Sequence, residues 1–230
     1  MDKGTRIITG PYGVGKSEFC VNLAKRIADL DADGATIADL DVVNPYFRPR
    51  EKAAELADAG ITIMGDCLNN NTGQDLPAVS YAFLSRVRGG ENVVVDLAGG
   101  KLGLNLLASA YDAIKLAPFY EFLCVVNLFR RDTSTADLMV DFVRQVNDTC
   151  KIAVTGLVNN GHMLASTTAE HVLASQQAAL QAAKTLGIPL RYTMLRRDLY
   201  DEIADEIKSD DVLVYDVLTL REGWMYSNST

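Results

Sequence analysis

Histidine and cysteine are scarce in this sequence, with two histidines and four cysteines in 230 residues. Cys20, Cys67, Cys124 and Cys150 stand far apart and form no C-x-x-C pair, so neither a disulfide framework nor a zinc site is expected. Cys20 and Cys124 fall in apolar segments and read as core. Cationic excess is also missing. Lys and Arg total 22 against 30 Asp and Glu, a formal net charge of −8 with a pI near 4.8, whereas non-specific binding to phosphate polymers needs a cationic face. No nucleic-acid or membrane surface is expected, and any phosphate must be held locally. No run approaches the ~20 apolar residues of a membrane span, and the opening MDKGTR leads into a strand without the apolar stretch of a signal peptide. The expected location is the cytoplasm. No repeat, low-complexity tract or Pro/Ser-rich linker marks a boundary. The expectation is a single domain over residues 1–226 with a loose polar tail at 227–230.

What is present is a regular alternation. Hydrophobic residues make up 48% of the chain, enough to bury a core. Strand-like runs are read at Arg6–Thr9, Ala35–Leu40, Ile61–Met64, Asn92–Leu97, Phe122–Asn127, Ile152–Val158 and Leu190–Met194, several apolar enough for burial on both faces. Between them lie amphipathic stretches at Ser17–Leu30, Arg50–Ala59, Ala78–Arg88, Leu104–Leu116, Thr135–Asn147 and Ala169–Leu186. The alternation predicts an α/β fold of three layers, a mainly parallel sheet with helices on both faces. Gly65–Gln74, with three successive asparagines, reads as a surface loop, with a mobile lid or partner-docking loop as the alternative.

The first motif is complete. IITGPYGVGKSE, Ile7 to Glu18, contains G-x-x-x-x-G-K-S after a short strand and at the start of an amphipathic helix, the context in which that pattern cradles phosphates. Gly10, Gly13 and Gly15 permit backbone conformations that turn successive N–H groups of the loop, Val14 included, toward a β-phosphate. The helix start adds its positive dipole end. Lys16 is placed to bridge the β- and γ-phosphates, and the Ser17 hydroxyl to hold Mg²⁺. Glu18 completes the candidate nucleotide-binding set in the first helical turn, where an acid complements the dipole.

Downstream segments supply the partners such a cradle needs. NVVVDLAGG, Asn92 to Gly100, is a hydrophobic strand ending in D-x-x-G; Asp96 is placed to order Mg²⁺ or its waters, and the Gly99 N–H to sense the γ-phosphate. ATIADLDVVNPYFRPRE, Ala35 to Glu51, runs into Asp39 and Asp41. Side chains two apart on a strand face the same way, so one of these acids can orient an attacking water. Arg48 and Arg50 follow, either to clamp phosphate oxygens or to begin the next helix. In VTGLVNNGHM, Val154 to Met163, a guanine-specific N-K-x-D box would need an Asp where His162 or Met163 stands. Asn159 or Asn160 can instead pair with an adenine edge, or the Asn-Asn-Gly run can simply form a turn.

Taken together, Gly10–Ser17, Asp39 with Asp41, Asp96–Gly99 and Asn159-Asn160 resemble the MinD/ParA/CobQ-type branch of P-loop NTPases in the SIMIBI class. The resemblance covers most of the chain, and GIPLRYTMLRRD, Gly187 to Asp198, is similar to the branch's final strand and the loop whose backbone lines adenine. It implies Mg²⁺ and ATP as cofactors, Lys16, Asp41 and Asp39 as the catalytic set, Asp41 activating water and Asp39 close to the metal with Ser17 and Asp96. It also implies a nucleotide-dependent homodimer, but the dimerising members carry a second lysine directly after the first glycine, where this chain has Pro11. Proline supplies neither charge nor an N–H. Either another cation (Lys101, Arg48, Arg130 or Arg131) replaces it, or the chain forms no such sandwich. GPYGVGKS is also similar to the loop of metallochaperone GTPases, whose metal-binding cysteines and histidines have no match here.

The expected function is a slow ATPase switch acting on a protein partner. The alternatives are an ATP-dependent small-molecule kinase or synthetase, with Arg130 and Arg131 binding an anionic acceptor, a metallochaperone-type GTPase, and a module that only reads nucleotide level.

Overall fold

The computed structural model describes residues 1–40, 49–64, 68–69 and 78–220. In chain order the strands are β1 (Thr5–Thr9), β2 (Ala35–Leu40), β3 (Ile61–Met64), β4 (Leu68–Asn69), β5 (Ala78–Val79), β6 (Val93–Leu97), β7 (Tyr120–Val126), β8 (Gly156–Asn159), β9 (Leu190–Arg196) and β10 (Asp211–Tyr215). Eight of them form one sheet in the order β10-β9-β8-β7-β1-β6-β2-β3, every pair parallel. β4 and β5 make a separate antiparallel pair.

The helices are α1 (Lys16–Leu30), α2 (Ala53–Asp58), α3 (Tyr81–Arg88), α4 (Lys101–Ser109), α5 (Tyr111–Lys115), α6 (Ala136–Cys150), α7 (Ala169–Leu186) and α8 (Arg197–Ile203). Strand alternation divides the core. Ile8, Ile37, Val94 and Val125 pack with Phe19, Leu23 and Ile27 of α1 and Leu56 of α2. Ile7, Ala38, Val95 and Val126 pack with residues of α3 through α7 on the other face. Three layers result, as the alternation predicts. Cys20 and Cys124 are fully buried core residues.

Local signals explain several helix starts. Ser80 caps α3 by accepting from the Phe83 N–H, and Thr135 caps α6 by accepting from the Leu138 N–H. Thr168 and His171 form a reciprocal capping box on α7, satisfying donors that a helix N-terminus otherwise leaves orphaned.

Most boundaries shift by a few residues from the sequence reading, and three stretches differ for a visible reason. α3 begins at Tyr81 because Ser80 serves as cap and Ala78–Val79 pairs with β4. The stretch read as Leu104–Leu116 starts at Lys101 and breaks at Ala110; Leu104, Leu107, Ala110, Ala113 and Ile114 all enter one core cluster, so a helical period runs across the break and hides it. β8 starts at Gly156 rather than Ile152, since residues 152–155 are still crossing to the sheet, with the Thr155 N–H donating to the Phe122 carbonyl. β10 and α8 were not foreseen. Of Gly65–Gln74, only Leu68–Asn69 falls within the described residues, and it is strand. Cys67 and residues 227–230 lie outside them.

Candidate functional site

β1 occupies the middle of the sheet, between β7 and β6, so the loop that follows it emerges at the C-terminal edge with a strand on either side. That loop is shaped by close contacts. Gly10 has φ +150°, and a Cβ there would lie 2.4 Å from the Val125 carbonyl oxygen. Gly15, at φ +88°, is the left-handed N-cap of α1, and a Cβ on it would lie 2.4 Å from Asn160 Nδ2. Both positions therefore require glycine.

Two side chains from the segments that follow β7 and β8 hold the loop. Arg130 Nε donates to the Gly13 carbonyl at 2.9 Å, and Asn160 Nδ2 donates to the Val14 carbonyl at 2.8 Å. In a trans peptide the carbonyl and the following N–H point in opposite directions. Fixing these carbonyls thus turns the Val14 and Gly15 N–H groups to the opposite side, as an anion nest requires. No side chain caps the start of α1, which leaves its first N–H groups to a ligand. Lys16 is 8% exposed and lies folded over the loop, its Nζ donating to the Pro11 carbonyl at 3.0 Å. Ser17 stands beside it in the first turn and lines the same cavity.

Asp39 and Asp96 are registered partners on the adjacent strands β2 and β6. Each follows by two residues a side chain that packs toward α1, Ile37 and Val94, so both carboxylates face α1. They are 6% and 1% exposed. The Cys20 thiol of α1 lies against Asp96; burial first, then the Asp96 charge, pushes it well above its ordinary pKa, with Lys16 opposing. The D-x-x-G turn meets the loop directly, because a Cβ on Gly99 would lie 1.9 Å from the Gly10 carbonyl oxygen.

Glu18 does more than complement the helix dipole. Its carboxylate accepts from the N–H groups of Thr219 at 2.6 Å and Leu220 at 3.0 Å, and from Asn22 Nδ2 at 3.0 Å. Burial raises its pKa, while these donors pull the other way. Together with the loop, Leu164, Met194, Tyr215, Leu218 and Leu220 line one cavity.

The structure thus gathers Gly10, Gly13, Val14, Gly15, Lys16, Ser17, Asp39, Asp96, Gly99 and Asn160 around the loop, with Glu18 alongside. Asn159 is elsewhere: fully buried in β8, its amide reaches the Val172 carbonyl of α7 at 3.4 Å. Asp41 and Arg48 lie outside the described residues. Arg50 is exposed in the turn at Pro49–Lys52, while Lys101 and Arg131 are exposed. Sequence reasoning missed the wall formed by Leu164, Tyr215, Leu218 and Leu220. No local pattern marks it, since three separated segments contribute. Met194 was within the stretch assigned to the base, though its partners were not.

The donor set suits a magnesium-bound triphosphate. A glycine nest, a lysine, a helix N-terminus, a hydroxyl and two buried carboxylates on one edge match the needs of both anion and hard cation. Among the described residues, no three His, Cys, Asp or Glu side chains form a further metal-holding group.

An all-parallel sheet with this loop between its central strand and α1 is the P-loop NTPase fold. Comparison with solved structures agrees. Chloroplast FtsY from Physcomitrella patens aligns at 18% identity with a TM-score of 0.53, covering 84% of this chain and 58% of that one. Cell division protein FtsY from Thermotoga maritima aligns at 20% identity with a TM-score of 0.52, over 84% and 62%. A nucleotide-binding protein from Archaeoglobus fulgidus, solved in complex with ADP, aligns at 19% identity with a TM-score of 0.50, over 86% and 84%. The chain thus spans about 60% of the FtsY chains it matches. No protein-family model matches the chain, and no curated protein does.

Proposed function

We propose that the Gly10–Ser17 loop binds Mg·ATP and that this chain is a slow ATPase switch acting on a protein partner. The observation that carries the reading is the loop itself: its carbonyls are tied back by Arg130 and Asn160 above a registered pair of buried acids, Asp39 and Asp96. Val14 and Gly15 N–H groups receive phosphate oxygens, and Lys16 exchanges the Pro11 carbonyl for them. Ser17, Asp39 and Asp96 would hold the metal, directly or through water. When bound, Mg²⁺ neutralises phosphate charge. Gly99, packed on Gly10, reports the γ-phosphate to α4, and Asp41 orients water. We place the chain in the MinD/ParA/CobQ branch on its D-x-D and D-x-x-G segments, as one cytoplasmic nucleotide-binding domain.

The wall of Leu164, Met194, Tyr215, Leu218 and Leu220 offers an apolar surface to either purine; we read the base as adenine because a guanine edge calls for a carboxylate acceptor. Glu18, the one carboxylate among the described residues lining that cavity, is already engaged by backbone N–H groups. The ADP in the Archaeoglobus protein is consistent with this choice. Arg130 Nε serves the loop through the Gly13 carbonyl, which gives one of the two arginines considered for an anionic acceptor a role in the cradle itself. A nucleotide sandwich between two copies remains the assembly to test, Pro11 notwithstanding.

Phosphate release from ATP and GTP by the purified chain tests the proposal. ATP should turn over slowly and in preference to GTP; Lys16→Ala should abolish binding, and Asp41→Ala should keep binding and lose hydrolysis. Hydrolysis by Asp41→Ala at the unmodified rate removes the role given to Asp41, and preference for GTP removes the base assignment.

A further inference from the structure

Glu18 joins two parts of the chain that are 201 residues apart. It lies two positions after Lys16, in the first turn of the helix that receives the phosphates, yet its carboxylate turns to the backbone after β10. Both oxygens are used there, Oε1 by the Thr219 N–H and Oε2 by the Leu220 N–H. A second tie reaches the same residue from about two turns further along α1, where Lys25 Nζ donates to Thr219 Oγ1 at 2.9 Å. Thr219 is 7% exposed. The residues on either side of it, Leu218 and Leu220, line the cavity shared by Lys16 and Ser17.

A buried carboxylate is retained only where donors replace its water, so the site demands that the 218–220 backbone stay in place. Unlike a carboxylate that reads a base edge, Glu18 has both oxygens occupied by the protein and acts through what it holds.

We propose that Glu18 is the positioning residue of the purine subsite: by fastening Thr219 and Leu220 it sets Leu218 and Leu220 as the apolar wall for the base of the bound nucleoside triphosphate. The inference rests on the nucleotide-binding reading above. Base affinity and phosphate affinity then depend on the same helix turn through different atoms, and they can be separated.

The test uses the full chain with Mg²⁺ and two probes, ATP and inorganic tripolyphosphate, titrated by calorimetry. Glu18→Gln, which leaves one backbone N–H without its acceptor, should weaken ATP about tenfold, or about 1.4 kcal/mol, and change tripolyphosphate by less than about twofold. Lys25→Ala, which keeps Glu18 and the loop intact, should weaken ATP about threefold with tripolyphosphate unchanged, and keeps the question open to experiment should Glu18→Gln fail to fold. Equal losses for both probes in the folded variants, or no loss for either, overturn the inference alone. A wild-type chain that binds neither probe overturns the nucleotide reading and this inference with it; one that binds tripolyphosphate and ATP equally removes the subsite.

Discussion

Adding one methyl group at Gly99 tests the contact between the D-x-x-G turn and the phosphate loop. A Cβ there would sit 1.9 Å from the Gly10 carbonyl oxygen and 2.8 Å from the Gly10 carbonyl carbon. Both obstacles are backbone, so no side chain can swing aside; turn and loop must separate by roughly 1.5 Å to reach an ordinary contact. Gly10 cannot retreat freely, because it is itself packed on the Val125 carbonyl. Overpacking of this kind costs about 1–3 kcal/mol, and for a chain of this size each kcal/mol lowers Tm by about 2–4 °C. Gly99→Ala should therefore melt about 2–12 °C below the unmodified protein and lose ATP hydrolysis, since the turn no longer reaches the γ-phosphate position. Gly100→Ala is the internal control: it is exposed, has φ −90°, and a Cβ on it meets nothing within 4 Å. A change within about 0.5 kcal/mol is expected there. Differential scanning fluorimetry and a phosphate-release assay on both variants decide the matter. Equal behaviour of the two, or an unperturbed Gly99→Ala, refutes the claimed contact.

Arg130→Ala should release the Gly13 carbonyl, removing a hydrogen bond from a charged donor of a kind worth roughly 1.5–3 kcal/mol. ATP affinity should fall about tenfold, while Arg131→Ala, at an exposed position, leaves it unchanged; identical affinities for the two variants contradict the anchoring role. A third expectation concerns alkaline stability. Burial pushes the Cys124 thiol from its ordinary 9.0 up to about 12, with Lys16 opposing. A folded-state pKa raised above the unfolded one contributes nothing to lose below pH 9. Stability then declines by about 1.4 kcal/mol per pH unit from pH 9 until the folded pKa is passed. The pH 8 to pH 10.5 loss measured by urea unfolding should be smaller in Cys124→Ala; an equal loss in both proteins refutes the assignment.

Much of this organisation is written locally. The β1 run, the glycines and Lys16-Ser17 lie within one short segment, and the apolar Val93–Val95 run ends at Asp96, so spacing alone reveals cradle and acid. Local signals fail where meaning depends on distant partners. Asn159 and Asn160 are chemically identical neighbours, but the one turns to the Val172 carbonyl and the other to Val14; nothing in Asn-Asn-Gly distinguishes them. Glu18 reads as a dipole partner because its acceptor role involves Thr219 and Leu220, far along the chain. β10 carries Asp211 and is only partly buried at that end. Val212–Tyr215 is an apolar, β-prone run that the reading of strands stopped short of; its pairing with β9 establishes it as strand, and the wall that Tyr215 begins was missed with it.

The central claim is that the nest of Val14, Gly15, Lys16 and Ser17 receives a triphosphate whose metal is held by Asp39 and Asp96. Calorimetric titration of the unmodified chain and of Asp96→Asn with ATP, each with and without Mg²⁺, addresses it most directly. The account predicts one site per chain, with Mg²⁺ strengthening binding in the unmodified protein and doing so far less in the variant. Absence of ATP binding in the unmodified chain, or the same Mg²⁺ enhancement in both proteins, contradicts it.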